Sequence, residues 1–313
     1  MKLSRDKILG GLWGAVVGDA LGVPVEFKDR AVVQANPITG MRGYGTHHQP
    51  PGTWSDDSSM LLCTVESLVA AEFDVADMGA RFVRWFRDFH WTPHGEAFDI
   101  GMTTADALLR IEHGASPETA GSRDEYSNGN GSLMRIMPVA LRFAASPGAL
   151  LAERAHRASA ITHAHPRSQM ACAFYSMAVR QLLAGVDPAV SLDAARTEFG
   201  EHYGFSPEFS HFRRALEDDF RAKPEGEIVS TGYVIHTLHA SLWCLLTTAS
   251  FEECVLKAVN LGGDTDTTGC VAGGLAGVQY GLDAIPMAWR NELARAKELE
   301  ALFDKFTRVV SSD

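Results

Sequence analysis

The chain has 313 residues, 46% apolar and 21% charged, with a formal net charge of -11 at pH 7. This is ordinary globular composition, and the length fits one large single-core domain spanning residues 1–313. An acidic surface repels nucleic acid and anionic lipid, so no direct nucleic-acid binding is expected. A bound divalent cation can still reverse the field locally and admit a phosphate-bearing substrate.

No apolar run follows the basic start Met1-Lys2-Leu3-Ser4-Arg5, and no uninterrupted apolar stretch reaches the roughly 20 residues a bilayer needs. A soluble cytoplasmic protein without membrane partners is therefore expected. The five cysteines, Cys63, Cys172, Cys244, Cys254 and Cys270, form no CxxC pair. Each lies in an apolar, helix-like context, so they read as buried free thiols, and their odd number suits a reducing compartment.

In chain order, apolar residues at helical spacing predict helices over Lys7–Leu21, Ser58–Glu72, Met78–Phe89 and Thr103–Glu112. Further helices are expected over Ser132–Ala145, Pro147–Thr162, Arg167–Ala184, Pro188–Gly200 and Thr231–Thr248. The last are Phe251–Asn260, Thr265–Gly281 and Pro286–Val309. Gly185, Gly200, Gly262 and Gly281 read as helix stops. Alternating strand patterns are nearly absent, so the expected fold is all-α, a compact multi-helix bundle. Lys28–Trp54, rich in Gly, Pro and His, is the least helical stretch and long for a loop, which favours a functional role.

Two helix starts carry paired acids beside a hydroxyl. In Ser55-Asp56-Asp57, adjacent carboxylates cannot face one way on a regular helix, but at a helix start both can turn into one pocket. Their repulsion then calls for a hard cation, which prefers carboxylate, hydroxyl and water oxygens. The competing reading is simple capping, since Ser and Asp are favoured at helix N-termini. Asp264-Thr265-Asp266-Thr267 repeats the pattern after Gly262-Gly263, a glycine pair for which a plain cap has no need. Four acids and two hydroxyls would suffice for a two-metal site.

Other polar residues have plainer readings. Asp19, alone in an apolar helix, is expected to accept hydrogen bonds from loop amides. A loop glutamate such as Glu26 is ordinarily solvated. His163-Ala164-His165 lacks the further strong ligand that a zinc site needs nearby. His47 and His48 read as solvated loop residues. Gly10, Gly11, Gly14 and Gly18 lack the strand that a dinucleotide fingerprint requires. Gly269, Gly273, Gly274 and Gly277 fall at helical spacing, as close helix packing would have them.

Six blocks in order resemble the ADP-ribosylglycohydrolase family, and in particular its dinitrogenase-reductase-activating branch. They are Gly14–Gly22, Trp54-Ser55-Asp56-Asp57-Ser58, Phe98-Asp99-Ile100-Gly101, Gly129-Asn130-Gly131-Ser132-Leu133-Met134-Arg135, Thr162-His163 and Gly262–Thr267. The resemblance runs over nearly the whole chain. It implies an all-α orthogonal bundle with two divalent cations, Mg²⁺ or Mn²⁺. The implied metal ligands are Ser55, Asp56, Asp57, Asp264, Asp266 and Thr267, where the family more often has Thr in place of Ser55.

The resemblance further implies Asp99 as an additional acid near the metals and Glu26 as a loop glutamate approaching the substrate ribose. Gly129, Asn130, Gly131, Ser132, Leu133 and Met134 would meet the diphosphate and distal ribose, with Thr162 and His163 at the cleft wall. The implied partner is an ADP-ribosylated protein or a small ADP-ribose conjugate, and the Asp99 block leans toward arginine linkage. Asp57 or Asp99 would take the proton of the attacking water, and Glu26 is one source of the leaving-group proton. A phosphoesterase using the same ligands and a non-catalytic ADP-ribose-binding protein are the rival readings.

Overall fold

The computed structural model describes residues 3–217 and 219–311. Among them there are α-helices and 3-10 turns but no strand; only two isolated bridges occur, Ser122 with His163 and Gly129 with Tyr233. The helices are α1 (Arg5–Gly22), α2 (Arg30–Ala35), α3 (Asp56–Ala70), α4 (Val75–Asp88), α5 (Met102–Glu112), α6 (Pro117–Ala120), α7 (Met137–Arg142) and α8 (Gly148–Ala160). They continue with α9 (Pro166–Leu183), α10 (Pro188–Tyr203), α11 (Val234–Leu246), α12 (Phe251–Val259), α13 (Thr265–Tyr280), α14 (Met287–Glu292) and α15 (Ala296–Ser311). All five cysteines are free and buried.

The centre of the bundle is the pair α1 and α13, which touch backbone to backbone. A Cβ on Gly10, Gly14 or Gly18 would lie 2.1, 2.2 or 2.0 Å from the carbonyl oxygen of Gly277, Gly273 or Gly269 respectively. Glycines every fourth residue put one bare stripe on each helix, so the axes approach more closely than side chains would allow. This is the packing role expected for the second glycine series. The contact ends at Gly22 against Asp266, so it delivers the C-terminal end of α1 to the start of α13.

α1 also corrects an expectation. By length and composition, Arg5–Val25 is long and apolar enough to cross a membrane, and its whole apolar stretch is buried within the protein. Asp19 is what made the segment read as interrupted.

Several helix bounds differ for identifiable reasons. Ser132–Ala145 is helical only from Met137, because Pro138 fits a first helical turn and not an interior. Residues before it turn tightly, with the Leu133 and Met134 amides both donating to the Asn130 carbonyl. Pro286–Val309 is two helices, since Ala294 leaves the helical path to donate to the Gly52 carbonyl. Gly200 is no stop: α10 runs through it to Tyr203. Gly185, Gly262 and Gly281 do end helical runs, with φ of 80°, 73° and 85°.

Candidate metal centre and active-site cleft

The N-terminus of α3 is held from two sides. The Ser55 hydroxyl caps it, accepting from the Asp57 amide at 3.3 Å. Asp19, reaching across from α1, accepts from the amides of Ser55 and Ser58, each at 3.0 Å, and from the Ser58 hydroxyl at 2.5 Å. Asp19 is thus the amide-satisfied acid expected of a buried carboxylate. Because those groups do the capping, Asp56 and Asp57 are left to face the cleft, and Asp57 Oδ2 is buried with no partner.

The second cluster is built by the glycine pair. Gly262 and Gly263 both have left-handed φ, 73° and 74°, and a Cβ on Gly263 would lie 2.1 Å from the Ser230 carbonyl oxygen. Only glycine allows that approach, which sets Asp264 at the head of α13. Asp264 Oδ2 accepts from Asn130 Nδ2 at 2.9 Å, and Asp266 Oδ1 from the Thr267 amide at 2.9 Å. Their other oxygens, Asp264 Oδ1 and Asp266 Oδ2, are buried without partners. The Thr267 hydroxyl donates to Asp57 Oδ1 at 3.3 Å, joining the two clusters across 210 positions of sequence.

Ligand atoms of Asp19, Asp57 and Asp266 lie within 4.8 Å of one another, and so do those of Glu26, Asp264 and Asp266. A third set, Glu26, His47 and Asp99, meets the same distance. Burial, then mutual repulsion, pushes the carboxyls of Asp56, Asp57 and Asp266 well above the usual range. Burial likewise raises Asp264, against the pull of its bonds to Asn130 and Thr267. Among the described residues no Lys or Arg lines the cleft. Oxygens of this kind, orphaned and crowded without a balancing side chain, fit hard divalent cations.

The cleft measures about 500 Å³ and is lined by Glu26, Asp56, Asp57, Asp99, Gly129, Asn130, Gly131, Met134, His163, Asp264 and Thr267, among others. Glu26 is not solvated: it is 2% exposed, and burial followed by the Asp266 and Asp99 charges pushes its carboxyl far up. His47, expected in solvent, is half-buried, with Nε2 2.5 Å from Glu26 Oε2. It packs against Phe27 and Phe98, so the long loop folds back over the acids. Asp99 sits at a left-handed φ of 58°, a strained backbone for a non-glycine residue. Burial and the Asp264 charge raise its carboxyl to about 7.

The predicted substrate residues divide. Gly129, Asn130, Gly131, Met134 and His163 face the cleft. The Asn130 amide is engaged by Asp264 and by the Thr237 hydroxyl. Ser132 and Leu133 do not reach the cleft: the Ser132 hydroxyl points into the core, accepting from Ser159, and Leu133 packs in the core. Thr162 is fully buried behind His163. Sequence reasoning missed Phe27, Met102 and Tyr126, which line the mouth of the cleft and are 66%, 85% and 95% exposed. Exposed apolar side chains leave no periodic signal, so only the fold brings these three together.

A family model for ADP-ribosylglycohydrolase matches residues 2–313. The chain belongs to the ADP-ribosylglycohydrolase family. It is 33% identical over 310 residues to the ADP-ribosylarginine hydrolase Tri1 of Serratia proteamaculans, covering 96% of this chain and 79% of that protein. It is 32% identical to the ADP-ribosyl-[dinitrogen reductase] glycohydrolase of Rhodospirillum rubrum, covering 95% and 93%. A solved ADP-ribosylglycohydrolase-related protein complex superposes with a TM-score of 0.83 at 36% identity, covering 99% of this chain and all of that one. The ADP-ribosylglycohydrolase described here is therefore a glycosidase-type hydrolase that removes ADP-ribose, on an all-α fold, with acidic clusters able to hold metal ions.

Proposed function

We propose that the enzyme cleaves the N-glycosidic bond between ADP-ribose and arginine on a modified protein, with two divalent cations, Mg²⁺ or Mn²⁺, in the acid cluster. Ser55, Asp56, Asp57, Asp264, Asp266 and Thr267 would hold them. The observation that carries this reading is the trio of buried, unpartnered oxygens on Asp57, Asp264 and Asp266, the first two of these acids lining a cleft that among the described residues has no Lys or Arg in its wall. The arginine linkage is supported by relatives named as ADP-ribosylarginine hydrolases. When bound, such cations activate water and offset the charge of their ligands.

The chain's own groups supply the proton transfers. Asp99, a half-buried carboxyl lining the cleft beside the acid cluster, is placed to accept a proton from the attacking water. Glu26, buried against His47 and lining the cleft, is placed to pass a proton to the departing guanidine nitrogen. The surrounding carboxylates favour the positive charge that develops at the anomeric carbon.

The test uses the purified full chain with arginine- and serine-linked ADP-ribosyl peptides, with and without a chelator. Free ADP-ribose should be released from the arginine conjugate, stop on chelation, and return with Mg²⁺ or Mn²⁺. Asp264→Ala should lower turnover roughly a thousandfold or more, the scale of losing a catalytic group. Full turnover by the chelator-treated variant would end the metal reading. Release of AMP or phosphate in place of ADP-ribose would make the protein a phosphoesterase.

A further inference from the structure

His163 is held against the cleft by a chain of buried groups behind it, Thr162 and then Arg135. Its imidazole edge packs beside Gly129 and Gly131, where a Cβ on Gly131 would lie 2.9 Å from His163 Cε1. Behind it, Nδ1 is 2.8 Å from the Thr162 hydroxyl. That hydroxyl in turn accepts from Arg135 Nη2 at 2.8 Å. The Arg135 guanidinium is 2% exposed, stacks 4.7 Å from the Phe82 ring, and also donates to the carbonyls of Gly131 at 2.7 Å and Ala158 at 3.3 Å.

The direction of this chain follows from donor inventory. A guanidinium only donates, so the Thr162 oxygen is an acceptor in the first link. Thr162 is fully buried, and among the described residues its one remaining partner is His163 Nδ1. A buried hydroxyl proton needs an acceptor, so it goes to Nδ1. Nδ1 therefore carries no proton, and the proton of the neutral ring is on Nε2, the nitrogen beside Gly129. Burial and the Arg135 charge, holding the His163 pKa at about 3, keep the ring from taking a second proton.

We propose that Arg135 and Thr162 are positioning residues that fix His163 as the neutral tautomer with its proton on Nε2, so that the cleft presents one oriented donor to an oxygen of the bound ADP-ribose unit. The ligand in this statement rests on the function proposed above, whereas the tautomer does not. The same guanidinium anchors Gly131, so one buried cation sets both the loop and the ring that meet at this wall.

Nitrogen-15 correlation spectra of the histidine rings in the metal-loaded full chain test it, with His163→Gln identifying the His163 signals. At pH 7 His163 should show the Nε2–H neutral pattern. Thr162→Val, which keeps the shape and removes the hydroxyl, should convert this to a mixed or Nδ1–H pattern and weaken ADP-ribose binding roughly tenfold, one hydrogen bond's worth. Thr162→Ser should restore both. A wild-type ring that is cationic or protonated on Nδ1 overturns the proposal, whether or not any variant folds. So does a Thr162→Val protein with an unchanged spectrum. If the spectra behave as expected but ADP-ribose binds neither protein, the tautomer assignment stands and the function reading falls.

Discussion

A carboxylate cut off from water must be matched by donors or by positive charge. The acids of this cleft sort by which one they have. Asp19 has donors: three converge on it, and they restrain its carboxyl to about 6 although burial pushes it up. In Asp19→Asn the amide group would face the Ser58 amide and hydroxyl donor to donor. About 3 kcal/mol of stability should be lost, the scale of unmaking buried hydrogen bonds to a charged group. Because those bonds aim the Ser55–Asp57 turn, Mn²⁺ affinity measured by calorimetry should also drop. An unchanged melting temperature and unchanged Mn²⁺ affinity would show that α3 starts correctly without Asp19. Asp57, Asp264 and Asp266 each keep one buried oxygen without a donor, and that difference was only partly legible in sequence. The paired acids and the glycines before Asp264 were visible as local patterns. The burial of Glu26 was not, because it depends on His47 and Phe98 folding over it from elsewhere in the chain. Nor was the inward turn of Ser132, which depends on Ser159.

At the level of elements, the site depends on how closely α1 meets α13. That contact carries Asp19 and Asp266 to one point, so its spacing is a site dimension as well as a packing one. In Gly14→Ala the new Cβ would start 2.2 Å from the Gly273 carbonyl oxygen, and the helices must part. The expected cost is about 3 kcal/mol, the upper range for overpacking, with metal affinity reduced alongside. Gly200→Ala is the matched control: it lies within α10 and its Cβ would meet nothing within 4 Å. That variant should be more stable by up to about 1 kcal/mol through helix propensity alone. Denaturant titrations of the two variants should move in opposite directions. Were Gly14→Ala neutral, the glycine stripe would be no packing device. Periodicity made most helices readable, and where it failed the cause was covalent or tertiary. Pro138 delays α7, and the bond from Ala294 to Gly52 divides the last predicted helix. Glycine spacing also made the stripe readable, although its partner helix could only be inferred.

Over the whole molecule, pH sensitivity extends beyond the cleft. His156 on α8 is packed against α10, with Nε2 2.8 Å from the Tyr203 hydroxyl, and burial lowers its pKa to about 4. In the unfolded chain the ordinary value is about 6.5, so between these values the unfolded state binds the extra proton. A folded pKa below the unfolded one means stability is complete above about 6.5 and is lost as pH falls toward 4. The loss attributable to this one ring is on the order of 3 kcal/mol across that window. His239, held at about 3 by burial first and the charge of Arg214 second, acts in the same sense. The acids of the cleft titrate too, so the wild-type curve alone does not isolate His156. His156→Gln removes the proton-binding group from a site that no metal ligand touches. The stability advantage of wild type over this variant should be constant above pH 7 and shrink steadily from pH 6.5 to 4. Melting curves at half-unit pH steps give that difference directly. A gap independent of pH would mean that His156 titrates alike in the folded and unfolded protein, and the acid sensitivity would then belong to His239 and the cleft.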